Sequence, residues 1–147
     1  MTTIQLKFYE KRKFSQACIY PGFLPIHYAC AFKSIQILEL LLNTQVNQLS
    51  KFNFFSSKYQ LFGYQVKSKL DALQICVFGD FQEGAELIIS YIVEHKMIYK
   101  NGKGLVDCCL YANNFVGNWM LDSGFACQFM SSSVRDDYKE VGRFLGS

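Results

Sequence analysis

The most regular pattern of hydrophobic and polar positions in this chain runs from residue 34 to residue 43. Its large apolar residues recur three or four positions apart, a spacing that places them on one face of a helix. They are Ile35, Leu38, Leu41 and Leu42. A shorter helix is expected before it, from Pro25 to about Phe32, because the first helical turn tolerates the missing N–H of proline. This segment therefore predicts two consecutive helices.

Four more segments are predicted to be helical, at residues 72–78, 82–95, 105–112 and 115–122. The last is followed by Gly124, and glycine readily adopts the left-handed conformation that commonly stops a helix. Ser133 and Asp136 resemble a capping box and predict a final helix within residues 131–147. The apolar face of that helix would consist of Val134, Tyr138, Val141 and Leu145. Residues 1–18 fit either a strand or a capping helix. The expected fold class is all-α.

A step of 33 residues relates two of these segments. Residues 71–77 align with residues 104–110, which makes Cys76 equivalent to Cys109. Gly22 and Gly102 each lie three residues before the start of a predicted first helix. The step from the first helix pair to the second is 14 residues longer, and residues 46–65 carry that insertion. The chain is therefore interpreted as three copies of a helix pair.

The first copy identifies the type of repeat. Pro25, Ile26, His27 and Ala29 stand as in the proline-leucine-histidine segment of the ankyrin repeat, so residues 19–127 resemble the ankyrin-repeat family. The resemblance implies a solenoid of stacked helix-turn-helix pairs with a C-terminal capping helix. The expected divisions are an N-terminal cap (1–18), repeat 1 (19–45), the insertion (46–65), repeat 2 (66–98), repeat 3 (99–130) and the C-terminal cap (131–147).

The chain departs from the family pattern in the loops between paired helices. The family usually has glycine there, whereas this chain has Lys33, Asp80 and Asn113. Asn and Asp tolerate a positive φ better than Lys does. A locally altered turn is therefore expected in repeat 1.

Composition excludes several classes of protein. Half of the residues are hydrophobic and 16% are aromatic, which is too apolar for a disordered chain. A net charge of +3 gives no electrostatic reason to expect a nucleic-acid partner. We find neither a run of transmembrane length nor an apolar signal stretch in the first seven residues. A cytoplasmic protein without a membrane partner is expected.

The six cysteines lack the spacing of a zinc site, and no Cys-x-x-Cys pair occurs. Cys30, Cys76 and Cys109 stand where the ankyrin pattern has small packed residues, so buried reduced thiols are expected. Neither a metal nor a cofactor is expected.

Catalytic motifs have little support. His27 is expected to be structural, since the resemblance implies that it hydrogen-bonds around its turn. Residues 102–104 are too short for a phosphate-binding loop. The carboxylates of Asp71, Asp80, Glu83 and Glu86 are predicted to be spread over the outer surface. We therefore do not expect an enzyme.

The resemblance implies a concave binding surface made of turn tips and the exposed sides of the first helices. Its candidate partner-binding residues are Tyr20, Phe23, Phe32, Lys67, Leu70, Phe78, Lys100, Asn101, Lys103 and Tyr111. Phe32, Phe78 and Tyr111 form an aromatic stripe in register, which either anchors a partner or covers neighbouring helices. The lysines predict a partner with an acidic patch.

The insertion is rich in aromatic residues: Phe52, Phe54, Phe55, Tyr59, Phe62 and Tyr64. So many rings are more than solvent alone would accommodate. They either fold back over the join between repeats 1 and 2, the reading we favour, or form a second contact surface.

These expectations lead to a non-catalytic protein that binds, and masks or inhibits, another protein. Toxin-neutralising immunity proteins and inhibitors of host targets are examples of this class. The alternative is a structural or assembly subunit of a larger complex, and an enzyme is a remote third possibility.

Overall fold

The computed structural model describes residues 23–44, 60–66 and 69–124, and 64% of these residues are helical. The helices are α1 (Pro25–Ala31), α2 (Ile35–Leu42), α3 (Ala72–Phe78), α4 (Gln82–Glu94), α5 (Gly102–Ala112) and α6 (Phe115–Asp122). The described strands are β1 (Gln60–Leu61) and β2 (Tyr64–Gln65), which form one antiparallel hairpin. The expectation of a mainly helical protein is confirmed. Within these residues we find no helix long and apolar enough to cross a membrane.

The helices pack as three consecutive pairs: α1 with α2, α3 with α4, and α5 with α6. The first helices also contact one another in chain order, α1 against α3 and α3 against α5, and α2 lies against α4. One continuous apolar core runs between them, with fully buried side chains that include Leu38, Leu73, Ile88 and Leu105. Each amphipathic helix thus buries its apolar face against neighbouring pairs.

The turns within the three pairs share one backbone conformation. Lys33, Asp80 and Asn113 all have positive φ, at 58°, 55° and 45°. In the first two turns the next N–H reaches back five residues, from Ser34 to the Ala29 carbonyl and from Phe81 to the Cys76 carbonyl, both at 2.9 Å. The expected altered turn at Lys33 is therefore wrong. These hydrogen bonds satisfy carbonyls at the helix end and offset the steric cost of a positive φ.

Two helices differ in length from their counterparts. As predicted, α4 is longer, with 13 residues against eight in α2 and in α6. Helix α5 begins at Gly102, three residues before the predicted start at Leu105. The extra turn depends on a close approach, since a Cβ at Gly104 would collide with the side-chain oxygen of Asn101. Lys103 consequently lies in a helix and not at a turn tip.

The hairpin was not predicted. Its turn residues, Phe62 and Gly63, both have positive φ (52° and 85°), which is the requirement of a type I′ hairpin turn. Leu61 pairs with Tyr64 across this turn and is fully buried. The N-terminal cap (1–18), the C-terminal cap (131–147) and most of the insertion lie outside the described residues.

Candidate functional site

A groove of about 570 Å³ lies beside the first turns of α5. It is bounded by α5, by α3, and by Gln65, Val66, Lys69 and Leu70. Five of the ten predicted binding residues line it: Leu70, Phe78, Asn101, Lys103 and Tyr111. The groove therefore brings together half of the residues that the resemblance selected.

The floor of the groove is apolar and buried. Leu70 is 2% exposed and Phe78 is 6% exposed. The Phe78 ring packs against the Tyr64 ring at a centroid distance of 5.1 Å and against the Tyr111 ring at 6.1 Å. The expected exposure of Phe78 is therefore wrong. Of the two roles considered for its ring, Phe78 covers neighbouring elements and supports the groove from beneath.

The described part of the insertion forms one side of this region. Tyr64 donates its hydroxyl proton to the Ala112 carbonyl at the end of α5, at 2.9 Å. Phe62 lies over Gly79, where an added Cβ would approach its ring to 2.9 Å. The hairpin thus folds back onto the chain, and its Tyr64 covers α3 and α5. The other aromatic residues of the insertion, Phe52, Phe54, Phe55 and Tyr59, lie outside the described residues.

The rim of the groove carries exposed groups. Tyr111 is 55% exposed. Lys103 and Asp107 form an ion pair at 3.3 Å across one turn of α5, and their side chains are 65% and 49% exposed. Such an exposed pair contributes little energy. Lys69, also exposed, lines the groove just before α3. The rim therefore offers two ammonium groups and one aromatic ring.

A buried polar network lies next to this rim. Asp71 is 1% exposed, which corrects its expected place on the outer surface. One carboxylate oxygen accepts the Gln74 backbone N–H at 3.0 Å and so caps α3. The other accepts the Tyr99 hydroxyl at 2.5 Å and the Asn101 side-chain amide at 2.9 Å. Asn101, a predicted partner residue, is thus half-buried and engaged within the chain.

The electrostatics of the network keep Tyr99 neutral. Burial raises the pKa of its phenol well above the usual value, and the charge and hydrogen bond of Asp71 raise it further. The phenol therefore remains a donor to the carboxylate at neutral pH. Gln74 extends the network to α5 by donating its side-chain amide to the Gly104 carbonyl at 3.1 Å.

His27 repeats part of this arrangement in the first pair. It is fully buried, and its Nδ1 accepts the Leu24 N–H at 2.8 Å. Gln74 accepts the Asp71 N–H in the same way at 2.9 Å. Both side chains thus hold the turn that precedes a first helix, in agreement with the structural role expected for His27.

Four buried cysteines carry free thiols: Cys30, Cys76, Cys108 and Cys109. Burial raises the pKa of Cys76 and of Cys108 well above the usual range and that of Cys109 to about 12. The thiolate is the reactive form of cysteine, so these raised pKa values make Cys76, Cys108 and Cys109 poor nucleophiles at neutral pH. Among the described residues we find no group of three or more His, Cys, Asp or Glu side chains placed to hold a metal ion.

The remaining predicted binding residues lie away from the groove or outside the described ranges. Phe23 is half-buried and contacts the rings of His27 and Tyr28, and Phe32 stacks with Tyr28. Lys100 is exposed next to Asn101. Tyr20 and Lys67 lie outside the described residues. Seven lining residues were missed: Gln65, Val66, Lys69, Gln74, Gly104, Asp107 and Cys108. The Phe62-Gly63 turn was a signal for the hairpin that leads to the first two of them.

The second helices present a different surface. Their charged residues are all acidic: Glu39, Glu83, Glu86, Glu94 and Asp122. A shallow groove of about 490 Å³ between α4 and α6 has Val93 and Trp119 among its lining residues, with Glu86 and Glu94 beside them. The charged residues of the second helices are thus of one sign, whereas the groove is lined by two lysines and one aspartate.

No family model, no curated protein and no solved structure matches this chain.

Proposed function

We propose that this chain is an ankyrin-like repeat protein without catalytic activity that binds another protein through the groove beside α5. The observation that carries the proposal is the composition of this groove. A buried apolar floor lies beneath an exposed aromatic ring, Tyr111, and two exposed lysines. Aromatic anchors within a charged rim are typical of protein interfaces.

The ankyrin-like part of the proposal is supported by positions that correspond between copies. Lys33, Asp80 and Asn113 have the same left-handed backbone, and the last two are 33 residues apart. His27 and Gln74 make the same hydrogen bond at the start of their helices. The order in which the first helices contact one another is the one expected of stacked repeats.

The proposed absence of catalysis is supported by how the described polar groups are used. Asp71 is held by three donors and caps a helix. The charged groups that line the groove are Lys69, Lys103 and Asp107, all exposed to water. Exposed charges of this kind suit recognition and steering of a partner. Binding without chemistry acts by covering the bound surface, so we propose masking or inhibition of the partner.

The test is recovery of the partner with matched variants of the full-length chain. Tyr111→Ala removes the rim ring, whereas Phe115→Ala removes a comparably exposed ring that does not line the groove (55% and 66% exposed). We expect wild type and Phe115→Ala to retain a stoichiometric partner from the native cells and Tyr111→Ala to lose it. The purified partner should lose its own activity when one equivalent of the chain is added. Equal retention by all three proteins would contradict the proposal.

A structural or assembly subunit is the second candidate, and the surface between α4 and α6 favours it. Val93 is 62% exposed there and Phe115 is 66% exposed on α6, so this face also offers apolar contacts. If the chain is an assembly subunit, the Val93→Glu variant should fail to join the complex and the Tyr111→Ala variant should still join it. That order of effects is the reverse of the one expected for masking through the groove.

A further inference from the structure

We infer that the groove accepts a short extended segment of the partner, in which a large apolar side chain is flanked by carboxylates. The inference rests on the proposed function and narrows it, from binding of a protein surface to recognition of a linear segment.

The shape of the site carries the first step. The groove is a cleft between separate elements: Gln65 and Val66 approach it from the hairpin, while Tyr111 approaches it from α5. Its volume of about 570 Å³ lies within the range of clefts that enclose small ligands. A cleft of this size accommodates a few side chains of an extended segment, whereas a folded domain would pass over it.

The floor carries the second step. Leu70 and Phe78 form an apolar base, and Val66 adds an apolar wall. An apolar side chain placed here exchanges water for hydrocarbon contacts, which favours binding. Tyr111 stands at the rim and is supported by the rings of Phe78 and Tyr64, at centroid distances of 6.1 and 5.7 Å. It is therefore placed to close over such a side chain.

The charges carry the third step. Lys69 lies just before α3 and Lys103 lies in the first turn of α5. Each places an ammonium group at the cleft. Asp107 is the one exposed carboxylate among the described lining residues, and its pair with Lys103 is open to water. A carboxylate of the partner can therefore join Lys103 at small cost. The charged residues of the second helices are all acidic, which disfavours docking of the same segment there.

The experiment uses a displayed library of random linear peptides, selected against the full-length wild-type chain. We expect the recovered peptides to carry Asp or Glu on both sides of a large apolar residue. For a synthetic peptide of the recovered sequence, Tyr111→Ala should weaken binding by about tenfold or more. Lys103→Glu should weaken it severalfold at low salt and less at high salt. Replacing the peptide's Glu residues with Gln should have the same salt-dependent effect as Lys103→Glu.

Two matched variants control for non-specific effects. Lys96→Glu makes the same charge change at an exposed lysine after α4, and Phe115→Ala removes an exposed ring of α6; neither residue lines the groove. Both should bind the peptide within about twofold of wild type, since exposed residues outside an interface have little effect. Each variant should also keep the wild-type melting temperature.

The inference is overturned if the library yields no enriched peptide, if the enriched peptides are basic or uncharged, or if Tyr111→Ala and Lys103→Glu bind them normally. Its failure is distinguishable from failure of the proposed function. Suppose that a native partner binds the wild type, does not bind Tyr111→Ala, and is displaced by no linear peptide. Recognition of a linear segment would then be wrong, whereas masking through the groove would still stand. If the chain retains neither a partner nor a peptide, both the proposed function and this inference are wrong.

Discussion

The network around Asp71 and the rim of the groove are made of residues that are close in sequence. The network residues point into the protein, whereas the rim residues are exposed to water. Asp71 follows Lys69 by two residues, and Lys103 follows Asn101 by two. Asp71 and Asn101 point inward, and the Asn101 amide donates to the Asp71 carboxylate. Lys69 and Lys103 lie exposed on the groove. The start of α3 and the start of α5 thus each combine a structural residue with one that is available to a partner.

The difference follows from the cost of burying charge. A carboxylate can be buried when several donors reach it, and Asp71 has the Gln74 N–H, the Tyr99 hydroxyl and the Asn101 amide. A lysine ammonium is strongly hydrated and stays in water on its long side chain. Stability should therefore depend on the network, and binding should depend on the rim. The predictions below test this separation, in decreasing order of their expected effect on stability.

Asp71→Ala should lower the free energy of unfolding by about 3 kcal/mol or more. It removes a helix cap, which contributes about 1 kcal/mol, and leaves the buried Tyr99 hydroxyl and the half-buried Asn101 amide without this acceptor. The comparison is Asp107→Ala, which removes an exposed carboxylate and should change stability by less than about 0.5 kcal/mol. Urea unfolding followed by circular dichroism measures both. Equal losses would mean that the two regions do not differ as described.

His27→Ala should lower the free energy of unfolding by about 1–3 kcal/mol, because the Leu24 N–H loses its acceptor. His27→Gln should recover much of this loss, since Gln74 accepts the corresponding N–H in the second pair. Thermal unfolding of the two variants decides the point. If both variants lose binding to the partner while they melt like wild type, His27 is a contact residue.

Tyr99→Phe should lower the free energy of unfolding by about 1–2 kcal/mol at neutral pH, because one hydrogen bond to Asp71 is lost. The folded state raises the pKa of Tyr99 above its unfolded value of about 10, so it favours the neutral phenol. This contribution is fully present below pH 10 and is lost as the pH rises through the folded pKa.

The loss of stability at alkaline pH distinguishes the contribution of Tyr99 from that of the cysteine thiols. Cys109 also has a raised pKa, from 9.0 to about 12, so wild type should begin to lose stability near pH 9. The difference in stability between wild type and Tyr99→Phe should shrink only above about pH 10. Urea unfolding at intervals between neutral and alkaline pH measures it. A difference that stays constant would show that Tyr99 titrates equally in both states.

Tyr111→Ala should change the free energy of unfolding by less than about 1 kcal/mol, because more than half of the side chain is already exposed. Its effect should appear in binding. Phe78→Ala, at the aligned position 33 residues earlier, should lower stability by about 3 kcal/mol or more, because a buried ring leaves a cavity. Thermal unfolding of the pair provides the measurement. A large loss for Tyr111→Ala would place it in the core and remove it from the rim.

Local features that the sequence encodes directly were predicted well. The bounds predicted for α3 and α6 agree with the structure, because apolar periodicity and helix-stop residues act within a few neighbours. A left-handed backbone at Asp80 and Asn113 agrees with the family's glycine positions, whereas the one at Lys33 was not expected. The start of α5 was missed because Gly102 and Gly104 are weak helix formers. Their helix turn is supported by distant side chains, including the Gln74 amide on the Gly104 carbonyl.

The sequence by itself determined the mainly helical character, the helix pairs, and five of the residues that line the groove. Only the tertiary structure decided which of them are exposed. Phe78 and Tyr111 occupy aligned positions in two copies, yet one is 6% exposed and the other 55%. Asp71 is buried because Tyr99 and Asn101, 28 and 30 residues away, supply its donors. The burial of a side chain depends on which other residues pack against it. Those residues come from segments far away in the sequence, which no local pattern identifies.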